Sequence, residues 1–260
     1  MFPVILEIGP IKLYSFGLMA AVALIAGSYL LRLEMDRRRM GEGLWNNYAI
    51  AALVGGFLGA KINFLITHPN LLREDLMGSI FSGAGLVWYG GFIGGVTACF
   101  LLSRRYHHSF GELSDAFAPA LAVAYLFGRF GCLFSGDGDY GPPSNLPWAM
   151  AFPNGVVPTD VPVHPTPIYE ILMMAIVLAI LWATRRRPWA TWSHFGLYLL
   201  LAGVERFVAE IWRTNPRGML GLTTAQLFSI AIFMIGLGLF LTRHTRKQAS
   251  DPALQHRQRA

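Results

Sequence analysis

The chain has 260 residues, 54% of them hydrophobic and only 14% charged, with a formal net charge of +6. It is long enough for one or two soluble domains but too apolar for either, and it reads as a polytopic membrane protein. The positive balance does not point to nucleic acid, because Lys and Arg fall in short runs between apolar segments rather than on one water-soluble face.

Seven runs are long enough to cross a hydrocarbon core of roughly 30 Å as helices: residues 13–31, 44–67, 84–102, 116–134, 167–184, 194–212 and 222–242. The first follows no basic region and precedes no small-residue cleavage site, so it is predicted to be a retained span. Fourteen Lys and Arg follow spans one, three, five and seven, four lie on the opposite side, and Lys61, Arg129 and Arg206 fall inside spans. That asymmetry predicts an all-α fold of seven transmembrane helices, N-terminus outside and C-terminus cytoplasmic. One transmembrane domain is expected over residues 1–247, with an extracytoplasmic loop at about 135–166 and a polar cytoplasmic tail at 248–260.

Gly55, Gly56 and Gly59 in the second span, and Gly90, Gly91, Gly94 and Gly95 in the third, have the small side chains that let helix backbones approach in lipid. The Trp88 to Gly91 run could additionally open a gap where a ligand meets the backbone. The loop after the fourth span holds Asp137, Asp139, Asp160 and His164 and no Lys or Arg, which fits either a flexible connection or a lid and binding loop. No internal repeat with matching broken helices is visible, which weakens a transporter built on inverted repeats. Cys99 and Cys132 offer neither a disulfide framework nor a metal-ligand spacing, the histidines are dispersed, and neither a metal nor another cofactor is expected.

Charges inside the spans need partners or a function. Arg129 follows an apolar stretch and opens onto Gly-Asp-Gly-Asp-Tyr-Gly, whose carboxylates and backbone N–H groups can stand beside it. Span six carries Glu205, Arg206 and Glu210, and Arg206 and Glu210, four apart, share a helix face. Two arginines in separate spans each need a counter-charge or a shared anionic ligand, and their forked geometry suits the phosphate of a lipid headgroup. Lys61 is a third positive group, a snorkelling lysine, or the partner of a carboxylate such as Glu170.

The Gly-Arg-x-Gly run at Gly128 to Gly131, His-Pro-x-x-x-Tyr-Glu at His164 to Glu170, Gly-x-x-Arg-Phe-x-x-Glu-x-x-Arg at Gly203 to Arg213, and Thr224 to Ser229 resemble bacterial prolipoprotein diacylglyceryl transferases. Ile8-Gly9-Pro10, Gly17-Leu18-Met19 and Gly90 to Gly94 fit the same family, and the order of the motifs is more specific than any one of them. The resemblance implies a multi-pass enzyme of the bacterial inner membrane, in lipoprotein biosynthesis, with its site toward the extracytoplasmic face. Its partners would be phosphatidylglycerol, a prolipoprotein signal peptide with a lipobox cysteine, and membrane lipids, not nucleic acid. The reaction it implies moves a diacylglyceryl group onto the cysteine thiol as a thioether and releases glycerol phosphate. Arg129 and Arg206 match the family's phosphate-holding arginines, Glu210 a partner carboxylate and Gly141 the glycine closing the signature. Tyr89, Cys132, Ser135, Asp137 and Phe16 stand where the family usually carries His, Asn, Asn, Glu and Tyr.

On this reading Arg129 and Arg206 bind the phosphate and stabilise the leaving group, Glu210 orients Arg206, and Tyr89 orients the ester or phosphate. Asp137 or Asp139 takes the thiol proton, with a pKa expected to be raised by desolvation. Cys132, Ser135, Asp139, Tyr169, Glu170, Gly141 and Lys61 complete the predicted substrate-binding set. A non-catalytic or altered-substrate lipid-binding paralogue, or a lipid transporter, is the alternative.

Overall fold

A computed structural model describes residues 2–9, 11–68 and 88–249. The expected start of the third span, Arg73, Pro10 and the end of the predicted tail lie outside the described residues. A short antiparallel hairpin, β1 (Val4–Ile8) and β2 (Ile11–Tyr14), leads into α1 (Ser15–Arg37). Then come α2 (Leu44–Thr67), α3 (Trp88–Arg105) and α4 (Phe110–Ser135), a second hairpin of β3 (Met150–Phe152) and β4 (Thr159–Val163), α5 (Thr166–Thr184), α6 (Ser193–Ala209) and α7 (Thr224–Ala249). Short 3-10 turns at Glu210–Trp212 and Met219–Gly221 link the last two helices.

The fold is helical, and among the described residues five helices are long and apolar enough to cross a membrane: α1, α2, α4, α5 and α7. α3 and α6 are shorter, at 18 and 17 residues. The sixth predicted span ends early because the chain tightens into a 3-10 turn at Glu210.

The chain forms two compact units, Leu31–Leu113 and Met1–Leu30 with Ser114–Ala260. In the first unit α2 and α3 meet through their glycines. A Cβ on Gly59 would stand 2.8 Å from the Gly94 Cα, and one on Gly91 3.3 Å from the Gly56 carbonyl. The paired glycines therefore serve close helix packing, and the gap expected beside Trp88 to Gly91 is filled by α2.

In the second unit α6 and α7 approach in the same way, since a Cβ on Gly203 would lie 2.9 Å from the Ser229 carbonyl. Asp115 of α4 fixes the start of α6 by accepting the backbone N–H of Trp192 at 2.9 Å and of Phe195 at 2.7 Å. These two donors have no partner inside their own helix, so a buried carboxylate there ties α6 to α4. Ala122, Met174, Val177 and Leu181 form the apolar core between α4 and α5. α1 packs on α4 where a Cβ on Gly27 would come within 3.3 Å of the Ala120 carbonyl.

The long loop is a folded cap. Leu133, Phe152, Val163 and Ile171 bury one another, and Tyr140 stacks on Phe152 with ring centroids 4.7 Å apart. Gly136 (φ +59°) and Gly138 (φ +95°) supply the left-handed backbone that turns the chain out of α4.

A candidate active site at the end of the fourth helix

Arg129 lies on the last turns of α4, its side chain 17% exposed, with its guanidinium carbon 4.9 Å from the Tyr125 ring centroid. Its Nη1 reaches Asp139 at 2.5 Å and its Nε reaches Glu170 at 2.5 Å. Glu170, fully buried on α5, also accepts the Tyr125 hydroxyl at 2.7 Å and pairs with Arg213 at 3.2 Å. Arg213 closes the ring by bonding Asp139 through Nη2. Two guanidiniums and two carboxylates therefore alternate around one largely buried cycle, drawn from α4, the loop behind it, α5 and the turn after α6. Such charge-assisted pairs are stable in low dielectric only when every member is matched.

A second pair adjoins the first. Arg206 Nη1 stands 2.6 Å from Glu210 Oε2, as their spacing predicts, and Arg213 Nε lies 3.8 Å from the same oxygen. The other Glu210 oxygen accepts the Asn215 amide at 2.6 Å. The question left by sequence is answered here: each arginine has its own counter-charge. Arg213, outside the predicted site set, is the residue that joins the two arginine sites. The signal for it was its position seven residues after Arg206 in the same motif.

Asp139 does not have the raised pKa expected of it. Burial alone would push its carboxyl up, but Arg213 and Arg129 beside it hold it below the usual carboxylate range. The Asp139 carboxyl holds Arg213 charged in return, against the opposing effect of burial. A carboxylate engaged by two guanidiniums is a structural anion, not a base waiting for a thiol.

Asp137 remains beside the reactive groups. Its Oδ1 accepts the Asp139 backbone N–H at 3.3 Å, and its carboxylate stands near the Cys132 thiol. Cys132 Sγ also lies 3.7 Å from Arg129 Nη1. Ligand atoms of Cys132, Asp137 and Asp139 fall within 4.8 Å of one another, a spacing a cation could use. The two guanidiniums on Asp139 already supply the positive charge there.

The other predicted residues divide by unit and by role. Ser135 is buried at the end of α4, donates to the Cys132 carbonyl at 3.2 Å and has its own carbonyl taken by Val156 N–H at 2.9 Å. Tyr169 accepts the Trp148 indole N–H at 2.8 Å, lies 3.1 Å from His164 Nδ1 and meets Trp212 edge to face at 5.4 Å. Gly141 is required by space, since a Cβ would overlap the Trp212 carbonyl and stand 2.9 Å from the His164 Cβ. Phe16 packs on Gly131, two residues beyond Arg129, where a Cβ would lie 3.1 Å from the phenyl ring. Lys61 and Tyr89 belong to the other unit; Lys61 is buried with its ammonium 5.6 Å from the Phe64 ring centroid, and Tyr89 is exposed.

Comparison with known proteins agrees with the motifs. The chain is 32% identical over 258 residues to the phosphatidylglycerol–prolipoprotein diacylglyceryl transferase of Clostridium tetani, covering 95% of this chain and 100% of that one. It is 31% identical over 266 residues to the enzyme of the same name in Pseudomonas putida (strain F1), covering 96% and 97%. A third relative, the second such transferase of Clostridium perfringens, is 33% identical over 244 residues, covering 90% and 92%. The family model described as prolipoprotein diacylglyceryl transferase matches residues 3–242, and this chain, with the ordered motifs that build its arginine cluster, belongs to that family.

Proposed function

We propose that the chain transfers the diacylglyceryl group of phosphatidylglycerol to the lipobox cysteine of a prolipoprotein. The S–C bond forms at the glyceryl carbon, the C–O bond to phosphate breaks, and glycerol phosphate leaves with the electron pair. The observation that carries this reading is the joined cluster of Arg129, Arg213 and Arg206 at the ends of apolar helices. It offers fixed guanidiniums to a phosphodiester and to the charge that grows on it as the C–O bond breaks, without solvent reorganisation.

Arg206 is the more available arginine, with a side chain 25% exposed and a single close carboxylate partner, and it takes the phosphate. Arg129, held in place by Asp139 and Glu170, presents its remaining edge to the same anion. The thiol must lose its proton to become a nucleophile, and Asp137 receives it. The Cys132 thiol supports that role, since its sulfur lies within 4.8 Å of this carboxylate and shows that a thiol can stand beside it. The helices cross the inner membrane seven times, with the cluster toward the extracytoplasmic face and the basic ends of α1, α3 and α5 in the cytoplasm.

Purified protein in phosphatidylglycerol vesicles, given a lipobox peptide, is expected to yield a peptide whose cysteine carries the diacylglyceryl mass. Lipid binding without transfer would favour the non-catalytic paralogue, and lipid movement between leaflets without transfer would favour a transporter.

A further inference from the structure

Three arginines and three carboxyls of the cluster are ion-paired with one another: Asp139 and Glu170 with Arg129 and Arg213, and Glu210 with Arg206 and Arg213. Glu205 is a fourth carboxyl beside them. It precedes Arg206 on α6, is 3% exposed, and keeps Oε1 buried with no hydrogen-bond partner among the described residues. The charged groups within its electrostatic reach are Arg206 on its own helix, Arg129 on α4 and Glu170 on α5. Tyr198 on α6 and Tyr125 on α4 also face it, and α7 carries no titratable side chain from Thr224 to Leu241.

An extra carboxylate at this point has two costs. It is desolvated without a hydrogen bond, which is unfavourable by several kcal/mol. It also lies within electrostatic reach of Glu170 and repels any anion brought to the arginines. A carboxylic acid has neither defect, and its O–H needs an acceptor. Among ligands that could reach both Arg129 and Arg206, a phosphodiester monoanion supplies that acceptor.

We propose that Glu205 is carried as the neutral acid and donates its O–H to a nonbridging oxygen of the lipid phosphodiester that Arg129 and Arg206 hold. This rests on the phosphatidylglycerol reading above. Glu205 is a lipid-binding residue on this account, separate from the group that takes the thiol proton. As pH rises and the acid ionises, the site loses a donor and gains a charge that repels the substrate, so KM for the lipid climbs while kcat is held.

The test is transfer kinetics of the full chain in vesicles of fixed phosphatidylglycerol content, between about pH 6 and 9, a range that buried glutamates are known to titrate in. For the unsubstituted protein, lipid KM is expected to rise about tenfold across that range, the size of one lost charge-assisted hydrogen bond. Glu205→Gln keeps a donor and no charge, so its KM should stay within about twofold of the low-pH value and be flat with pH. Glu205→Met should raise KM about tenfold at low pH with little change in kcat. Loss of turnover in Glu205→Gln, or a pH profile it shares with the unsubstituted protein, overturns the proposal. A melting temperature for each variant separates misfolding from altered binding, and the glutamine comparison stands if the methionine variant does not fold. Absence of transfer by the unsubstituted protein would instead remove the phosphatidylglycerol reading, and this proposal with it.

Discussion

Replacing Glu170 with alanine removes an anion engaged by two arginines and a tyrosine. Its carboxylate is fully buried and receives Arg129 Nε at 2.5 Å, Arg213 Nη1 at 3.2 Å and the Tyr125 hydroxyl at 2.7 Å. Breaking a buried ion pair from one side costs about 3–5 kcal/mol, because the remaining charge is left uncompensated. Asp139 still serves both arginines, which places the loss near the lower end, at about 3 kcal/mol. For a chain of this size that corresponds to a fall in melting temperature of roughly 6–12 °C. Thermal unfolding in detergent, followed by tryptophan fluorescence, measures it. Glu170→Gln should lose less, since its amide oxygen can still accept from Tyr125. A Glu170→Ala protein melting within about 2 °C of the unsubstituted one, a loss of about one kcal/mol or less, would refute the view that this carboxylate holds the two arginines together.

The remaining predictions concern neighbouring residues. Gly141→Ala forces a methyl against the Trp212 carbonyl and the His164 Cβ, so it should destabilise by about 1–3 kcal/mol and shift Arg213 from Asp139, read as lower turnover with a lower melting temperature. Arg206→Ala should reduce kcat/KM for phosphatidylglycerol by about 10²–10³, the usual effect of removing one transition-state donor, and unchanged activity would take Arg206 out of the mechanism. Because the Asp139 carboxyl is held below its unfolded value, its ion pairs stabilise the protein fully above a pH of about 4 and release that stability as pH falls through the lower folded value. Asp139→Asn should therefore flatten the acid limb of the stability profile while lowering stability at neutral pH, which a melting series across pH would show. Gly59→Leu should drive α2 from α3, because even a Cβ there stands 2.8 Å from Gly94 Cα, and the loss should exceed that of Gly59→Ala.

Much of the molecule was legible because apolar length and periodicity decide a helical membrane fold directly. The glycine rows of α2 and α3, and the Arg206–Glu210 pair, also followed from helical spacing alone. What sequence did not show was long-range partnership. Nothing local says that Glu170 faces Arg129 rather than Lys61, because the two are separated by a loop whose course depends on Tyr140 and Phe152 packing together. Desolvation alone predicts a base-like Asp139 carboxyl, whereas two guanidiniums, one of them from the distant turn after α6, decide its charge. Arg213 looked like an ordinary charge at a helix end until the 3-10 turn at Glu210 brought it back over Asp139 and Glu170. Gly141 carried meaning in the motif, but the reason for it is the backbone of Trp212, which no linear reading brings near.

The ring of alternating charges also sets an order of biosynthesis. Arg129 leaves the ribosome 41 positions before Glu170 and 84 before Arg213, as their numbering gives. An arginine inserting alone at the centre of a bilayer costs about 2.5–3.5 kcal/mol. Asp139, ten residues behind it, is the first of its ring partners to be made. When α5 and then the end of α6 arrive, Glu170 and Arg213 complete the ring. The ring can therefore be complete only once the residues that follow the sixth helix have been made.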